Sequence, residues 1–140
     1  MPIIQPRTDD EILSTWGVMY QLRPHVGREE YVSIVRRMME SDGYRLAAVV
    51  DDGEVRAVAG YRYMHMLYCG RLLYVDDLVT DDRVRSRGYG KEMLEWLKAE
   101  ARGQGCSELQ LISRVTREQA HRFYFREGLS IECFEFRVKL

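Results

Sequence analysis

The chain has 140 residues, of which 46% are hydrophobic and 31% are charged. This balance is typical of a soluble globular protein and excludes a disordered chain, and no apolar run is long enough to span a membrane. The length is that of one domain, so we expect a single domain over residues 1–140. A formal net charge of −1 removes the basic surface expected of a nucleic-acid binder, so we expect no nucleic-acid partner and no membrane partner.

The N-terminus and the cysteines bear on localisation and metal binding. Residues 1–7 contain neither the basic stretch nor the apolar run of a signal peptide, so we expect a cytoplasmic protein. Cys69, Cys106 and Cys133 are odd in number and far apart, which fits neither a disulfide framework nor a zinc site. We therefore expect three reduced thiols and no metal.

The first third of the chain predicts a short strand followed by two helices. Ile3 to Pro6 can form the strand, and Thr8 supplies an N-cap for a helix that runs to about Leu22. The stretch from Arg28 to Ser41 has apolar residues at spacings of three and four, which predicts a second amphipathic helix.

The middle of the chain predicts an antiparallel meander of three strands. Asp51-Asp52-Gly53-Glu54 lies between two β-forming runs, and Asp-Gly in that position is a strong hairpin signal. A second turn at Cys69-Gly70 separates the run Tyr61 to Tyr68 from the run Leu72 to Val79.

The last third predicts alternating helices and strands. A helix begins near Gly88, a short strand covers Leu109 to Ile112, a further helix covers Glu118 to Glu127, and Ile131 to Leu140 alternates as a final strand. The predicted order is β-α-α-β-β-β-α-β-α-β. This order indicates an α/β fold with a mixed, mainly antiparallel central sheet flanked by helices.

A loop rich in arginine and glycine joins the strand ending near Thr80 to the helix starting near Gly88. A strand, a glycine-bearing loop and a helix in succession direct free backbone N–H groups and the positive helix end at a phosphate. Arg85 and Arg87 can add charge-assisted hydrogen bonds to a diphosphate, and Lys91 lies in the first turn of the helix. The sequence therefore predicts a site for a small anion.

The spacing within this loop resembles the signature of the GNAT superfamily of N-acetyltransferases. It lacks the Gly-x-Gly-x-x-Gly of a dinucleotide site and the Gly-Lys-Ser/Thr of a nucleoside triphosphate loop. Arg85, Gly88 and Gly90 match Arg/Gln-x-x-Gly-x-Gly/Ala of that superfamily. Leu72 to Thr80 resembles its central strand, and Ala120 to Leu129 resembles its Ala-x-x-Phe-Tyr-x-x-x-Gly-Phe helix, with leucine replacing the usual final aromatic residue.

The resemblance implies acetyl-CoA as co-substrate. In that family the backbone of the central strand pairs with the pantetheine arm, a role that falls here on Leu78, Val79 and Thr80. The residues implied to bind the pyrophosphate are Arg85, Ser86, Arg87, Gly88, Tyr89, Gly90 and Lys91. The family often has Asn touching the pantetheine at a position where this chain has Arg117.

The resemblance also implies the catalytic groups. Tyr124 would protonate the departing CoA thiolate, Asp76 would take the proton of the amine through water, and Asp77 would fix a loop or attract a cationic substrate. Adjacent residues of a regular strand point to opposite faces, so only one of the two carboxylates should face the cleft unless a bulge intervenes. The alternatives are that Tyr124 only packs in the core and that either aspartate only pairs with an arginine.

The acceptor cannot be identified from the sequence, although His65 and Tyr63 share one strand face and could line its pocket. We expect an N-acetyltransferase that acts on a primary amine of a small cationic molecule or a peptide by direct attack in a ternary complex. The alternative is a CoA-binding regulatory domain without turnover. The oligomeric state, including a homodimer, stays open.

Overall fold

The structure, a computed structural model, describes residues 2–140. The chain divides into two compact units, the first ending at Gln110 and the second beginning at Leu111. The helices are α1 (Asp9–Ser14), α2 (Trp16–Leu22), α3 (Arg28–Asp42), α4 (Tyr89–Gly103) and α5 (Glu118–Arg126). The strands are β1 (Ile3–Ile4), β2 (Arg45–Asp51), β3 (Glu54–Met66), β4 (Gly70–Thr80) and β5 (Glu108–Leu111), and a short 3-10 helix covers Asp82–Val84.

The first helical stretch begins as predicted but is divided. The Thr8 hydroxyl accepts from the backbone N–H of Glu11, whose carboxylate accepts in return from the backbone N–H of Thr8. The prediction of one continuous helix to Leu22 was wrong, because the buried Thr15 separates α1 from α2. Its hydroxyl donates to the carbonyl of Ile12 and contacts the Tyr31 hydroxyl at 2.7 Å, and such side-chain bonds compete with regular helix.

The central sheet has the strand order β1-β2-β3-β4-β5, and β1 to β4 pair antiparallel. The Asp-Gly turn is confirmed: Asp51 pairs with Glu54, and Asp52 and Gly53 both have positive φ, as two-residue hairpin turns require. The mixed, mainly antiparallel α/β fold predicted from the sequence is therefore confirmed.

Helices cover both faces of the sheet in the first unit. On one face, α1, α2 and α3 enclose an apolar core. On the other face lies α4, whose Trp96 meets the Tyr61 ring edge-on at 6.0 Å. The fully buried residues of these two layers include Ile12, Leu46, Val58, Leu72, Met93, Leu94 and Leu97. No helix within residues 2–140 combines the length and the apolar character needed to cross a bilayer.

The second unit contains α5 and an extended end. Gly128 follows α5 with φ of 89°, and the amide of Leu129 donates to the carbonyl of Tyr124. The final strand predicted over Ile131–Leu140 is not found in the second unit taken by itself, where residues 129–140 form neither helix nor strand. The alternation of side chains was present, but a strand also needs a neighbouring backbone to bond, and the second unit by itself contains no strand except the last residue of β5.

Candidate active site

The loop after β4 is fixed to the body of the first unit by Asp81. This buried carboxylate accepts from the guanidinium of Arg83 at 2.7 Å and from the side-chain amide of Gln21 on α2 at 3.2 Å. The Gln21 amide oxygen in turn accepts from the backbone of Asp82 at 2.9 Å. The hydrogen bonds from Arg83 hold the pKa of the Asp81 carboxyl well below its usual range, so it stays ionised.

The segment from Arg85 to Lys91, here called the arginine loop, ends in the first turn of α4. Gly88 is the N-cap residue, with φ of 86°, and it provides no capping side chain. The first bond of the helix runs from the amide of Glu92 to the carbonyl of Gly88 at 3.0 Å, so the preceding amides of Tyr89, Gly90 and Lys91 have no acceptor within the helix. This geometry suits an anion.

The side chains of the arginine loop are divided between solvent and core. Arg85, Arg87 and Lys91 are exposed and form no ion pair with any residue of the described chain. Tyr89 is buried, and its hydroxyl donates to the Asp51 carboxylate at 2.7 Å, a bond that raises its pKa. Tyr89 therefore offers a ligand its backbone N–H, while its side chain anchors the helix start to the β2–β3 turn.

The end of β4 has a strand partner on one edge. Leu78, Val79 and Thr80 pair with Ala59, Val58 and Ala57 of β3, in that order. The strand on the other side, β5, has four residues against the eleven of β4, and the amide of Ser107 just before it bonds the carbonyl of Arg71 near the start of β4. In the described sheet β5 is thus too short to cover the end of β4, which leaves backbone groups there for an extended ligand.

Asp76 and Asp77 lie at a β-bulge, here called the acidic bulge. Gly60 pairs with Asp77 and Tyr61 pairs with Val75, so Asp76 is the additional residue. Asp77 lies over Gly60, while Asp76 bonds Arg62. Gly60 and Arg62 are two residues apart on β3 and share a face, so the bulge brings both carboxylates to one face of the sheet.

Each carboxylate of the acidic bulge has partners from within the first unit. Arg62 binds Asp76 with two hydrogen bonds, of 3.0 and 2.5 Å. Arg23, at the end of α2, donates to the Asp77 carboxylate at 2.8 Å and to the carbonyl of Asp76 at 3.0 Å. The Tyr44 hydroxyl donates to Asp77 at 2.7 Å.

Burial changes the pKa values of two groups in this cluster. It raises the pKa of the Asp76 carboxyl above the ordinary aspartate value, against the hydrogen bonds from Arg62, which lower it. Burial and the neighbouring Asp77 carboxylate raise the pKa of Tyr44 well above its usual value. Tyr44 is therefore a neutral hydrogen-bond donor at physiological pH.

Tyr124 lies on α5 in the second unit. It is buried, and its ring centroid is 5.7 Å from that of Phe123. Burial raises the pKa of the phenol, and a hydrogen bond with Arg117 and that residue's charge lower it in part. The hydroxyl consequently keeps its proton at neutral pH and can act as a proton donor.

His65 is separated from the acidic bulge within the first unit. It is exposed on β3 opposite Arg71, whereas Gly60 is the residue opposite Asp77. Five strand residues correspond to about 17 Å, and an odd separation puts the two positions on opposite faces. The structure does not bring His65 together with Asp76 and Asp77.

A groove of the first unit lies away from both charged features. Its volume is about 550 Å³, and it runs between α1 and α2 on one side and the β2–β3 turn on the other. It approaches the arginine loop only through Arg83, whose charge is already paired with Asp81. The groove therefore offers neither a loop amide nor a bulge carboxylate to a ligand.

The sequence analysis did not predict the residues that bind Asp76 and Asp77. Arg23 follows α2, Tyr44 precedes β2 and Arg62 lies in β3, and these three residues belong to no motif. A signal existed for Arg62, because the register set by the second hairpin turn pairs it with Tyr74, diagonal to Asp76. Arg23 and Tyr44 could not have been found, since only the packing of the helices on the sheet brings them there.

Comparisons with known proteins agree with this geometry. Residues 11–128 match the model of the acetyltransferase (GNAT) family. A relative from Bacillus subtilis (strain 168), named as the uncharacterized N-acetyltransferase YhdJ, is 31% identical over 95% of this chain and 94% of its own length. An aminoalkylphosphonate N-acetyltransferase from Salmonella typhimurium is 32% identical over 66% of this chain and 60% of its own.

A solved structure supports the fold. The aminoglycoside N-acetyltransferase AAC(6')-Iy, determined in complex with CoA, superposes with a TM-score of 0.84. The alignment covers 99% of this chain and 93% of that one at 16% identity, so the likeness concerns the fold alone.

Proposed function

The chain belongs to the acetyltransferase (GNAT) family, and we propose that it transfers the acetyl group of acetyl-CoA to a primary amine of a small cationic molecule or a peptide. The transfer would occur by direct attack of the amine in a ternary complex. The proposal treats residues 1–140 as one catalytic domain, since the family match extends over parts of both compact units.

The observation that carries the proposal is the arginine loop. Three amides at the start of α4, a left-handed Gly88 and the exposed cations Arg85, Arg87 and Lys91 form a cradle for a diphosphate. Ser86 lies between the arginines with φ of 66°, which turns the loop toward the helix start. These groups fit the pyrophosphate of CoA, with Tyr89 and Gly90 contributing backbone N–H groups.

The end of β4 fits the pantetheine arm. This arm carries amide groups, which can bond Leu78, Val79 and Thr80 as a further strand would. Acetyl-CoA supplies an activated thioester, and the backbone groups of these residues hold its carbonyl in place for attack.

Two side chains are proposed to move protons. Tyr124, with a raised pKa, donates a proton to the departing thiolate. Asp76 receives the proton of the attacking amine through water, using the part of its carboxylate that Arg62 leaves exposed. Asp77 holds Arg23 and Tyr44 in place and adds negative potential that favours a cationic acceptor. The exposure of His65 on the other face lends no support to a role in acceptor binding.

The experiment that tests the function is a thiol-release assay with acetyl-CoA and a panel of amines. The panel contains polyamines, amino acids, aminoglycosides, aminoalkylphosphonates and basic peptides. Release of CoA above the hydrolysis background with one class would identify the acceptor class. Tight binding of acetyl-CoA with no turnover of any amine would instead favour the regulatory CoA-binding domain.

The proton donor is tested by Tyr124→Phe, with Tyr20→Phe on the exposed side of α2 as the matched control. General acids contribute typically about 10²–10⁴-fold, so acetyl transfer in a single turnover should fall by that factor while acetyl-CoA affinity is retained. Native single-turnover rates in the Tyr124 variant would show that this tyrosine only packs.

A further inference from the structure

Gln21, in the last turn of α2, contacts the segment from which the arginine loop begins. Its side-chain amide donates to the buried Asp81 carboxylate at 3.2 Å, and its amide oxygen accepts from the backbone N–H of Asp82 at 2.9 Å. A primary amide can form both bonds at once because it carries a donor and an acceptor. The backbone N–H of Asp81 is in turn bonded to the carbonyl of Arg56 on β3 at 2.8 Å. Gln21 therefore fixes the backbone just before the arginine loop.

Arg23, the residue that follows α2, contacts the acidic bulge. Its guanidinium donates to the Asp77 carboxylate at 2.8 Å and to the carbonyl of Asp76 at 3.0 Å. The second bond goes to the backbone of the additional residue of the bulge, so Arg23 holds the shape of the bulge as well as the charge of Asp77. A side chain with a single donor could not form both bonds in this geometry.

The end of α2 is itself held firmly by the first unit. Val18 and Met19 of α2 are buried in the apolar core. The backbone N–H of Arg23 donates to the carbonyl of Met19 at 2.8 Å, and the indole N–H of Trp16 donates to the carbonyl of Val26 at 3.0 Å, which closes the turn after the helix. A close-packed interior deforms little, so the position of α2 is passed on to the parts of the chain that Gln21 and Arg23 contact.

The two contacts lie on either side of Leu78, Val79 and Thr80, the residues proposed to pair with the pantetheine arm. We propose that Gln21 and Arg23 are positioning residues, through which the end of α2 sets the distance between the arginine loop and the acidic bulge. This inference rests on the proposed function. Acetyl-CoA has a fixed covalent length between its pyrophosphate and its thioester, so a shift of either anchor displaces the thioester from the groups that act on it.

The two residues should act on different steps. Gln21 acts through the start of the arginine loop, so its loss should weaken the binding of CoA. Arg23 acts through the acidic bulge, so its loss should slow acetyl transfer once acetyl-CoA is bound. A general loss of stability would not separate the two parameters in this way, because it lowers the amount of folded protein for both.

The first part of the test is Gln21→Met, which keeps the size and the helix propensity of an exposed side chain but removes both hydrogen bonds. Calorimetry should show CoA affinity lower by about five- to tenfold, while kcat at saturating acetyl-CoA stays native. The amide of Asp82 should also exchange its hydrogen faster, because its acceptor is gone. Gln104→Met is the matched control, since Gln104 is exposed at the opposite end of α4 from the arginine loop.

The second part is Arg23→Lys, which keeps the charge but offers a single ammonium group. With the amine of the panel that gives the fastest CoA release, kcat should fall by about tenfold while CoA affinity stays native. Arg23→Ala should lower kcat further and displace the acidic limb of the pH–rate profile upward, because the charge of Arg23 lowers the pKa of Asp76. Asp76 also faces Arg62, Asp77 and Tyr44, which both variants retain.

The outcomes separate this inference from the proposed function. A native protein that neither binds CoA nor releases it from acetyl-CoA would overturn the proposed function, and this inference with it. An active native enzyme whose Gln21→Met variant binds CoA as tightly would overturn this inference alone. So would an Arg23→Lys variant with native kcat, or a pair of variants that both change only the affinity or only kcat.

Discussion

The arginine loop and the acidic bulge both adjoin β4, yet their charges have different surroundings. Arg85 and Arg87 are exposed and have no ion-pair partner within residues 2–140, whereas Asp76 and Asp77 are largely buried and each is paired with an arginine. An exposed cation stays hydrated, so it needs no partner in the folded protein. A buried carboxylate loses its hydration and must be paired. On the proposed function the loop is completed by its ligand, while the bulge is organised without one.

The largest expected effect comes from reversing the charge of the arginine loop. Gly88→Glu introduces a carboxylate into the proposed phosphate site, and two like charges about 4 Å apart at an effective dielectric of about 20 repel by about 4 kcal/mol. Calorimetry should show CoA affinity lower by about a thousandfold. Gly88→Ala is the control, because it introduces the same strain at φ of 86° without the charge. Equal CoA affinities in the two variants would contradict the proposal that the arginine loop binds the phosphates of CoA.

The next largest effect concerns proton transfer at the acidic bulge. Since burial raises the pKa of Asp76, its basic form appears at a higher pH than that of an ordinary aspartate, and the acidic limb of the native pH–rate profile should be displaced upward. Asp76→Asn should lower kcat/KM by about 100-fold at low pH, where the amine starts protonated. Activity should recover in part as pH rises and neutral amine becomes abundant.

The control for this variant is the CoA affinity, which should be native because Asn can still accept a hydrogen bond from Arg62. An Asp76→Asn profile parallel to the native one at all pH values would show that Asp76 only pairs with Arg62.

A third prediction tests the organisation of the bulge through stability. A methyl group at Gly60 would overlap the Tyr44 hydroxyl and the Asp77 carboxylate, so Gly60→Ala should lower the free energy of unfolding by about 1–3 kcal/mol. Gly17→Ala on α2 is the matched control, because a methyl there meets nothing and alanine favours helix. Chemical denaturation measures both. Equal stability of the two variants would mean that the close approach of Tyr44 is unimportant.

The smallest expected effects distinguish the role of Arg85 from that of Arg83. Arg85→Ala should weaken CoA binding by about tenfold, which is roughly the value of one charge-assisted hydrogen bond, and leave the melting temperature unchanged. Arg83→Ala should instead lower the melting temperature, because it leaves the buried Asp81 without its main partner. If both variants changed only the affinity, Arg83 would belong to the phosphate site.

The sequence by itself determined the local features. The hairpin at Asp51 to Glu54, the start of α4 after Gly88 and the capping box at Thr8 all depend on residues within a few positions of one another. Short-range geometry, such as a positive φ at glycine or a hydroxyl bonding the third amide, decides these features wherever the segment is placed. The family signature in the arginine loop could be identified from the sequence for the same reason.

The tertiary structure decided the rest. Whether Asp76 and Asp77 share a face depended on one additional residue in β4 relative to β3, and their partners Arg23 and Tyr44 come from separate segments of the chain. Thr15 interrupts the first helix where it meets Tyr31, and the alternating residues 131–140 form no strand within the second unit. Periodicity specifies which side of a segment is apolar, but the atoms that satisfy its backbone and its charges come from distant residues, which only the folded chain brings together.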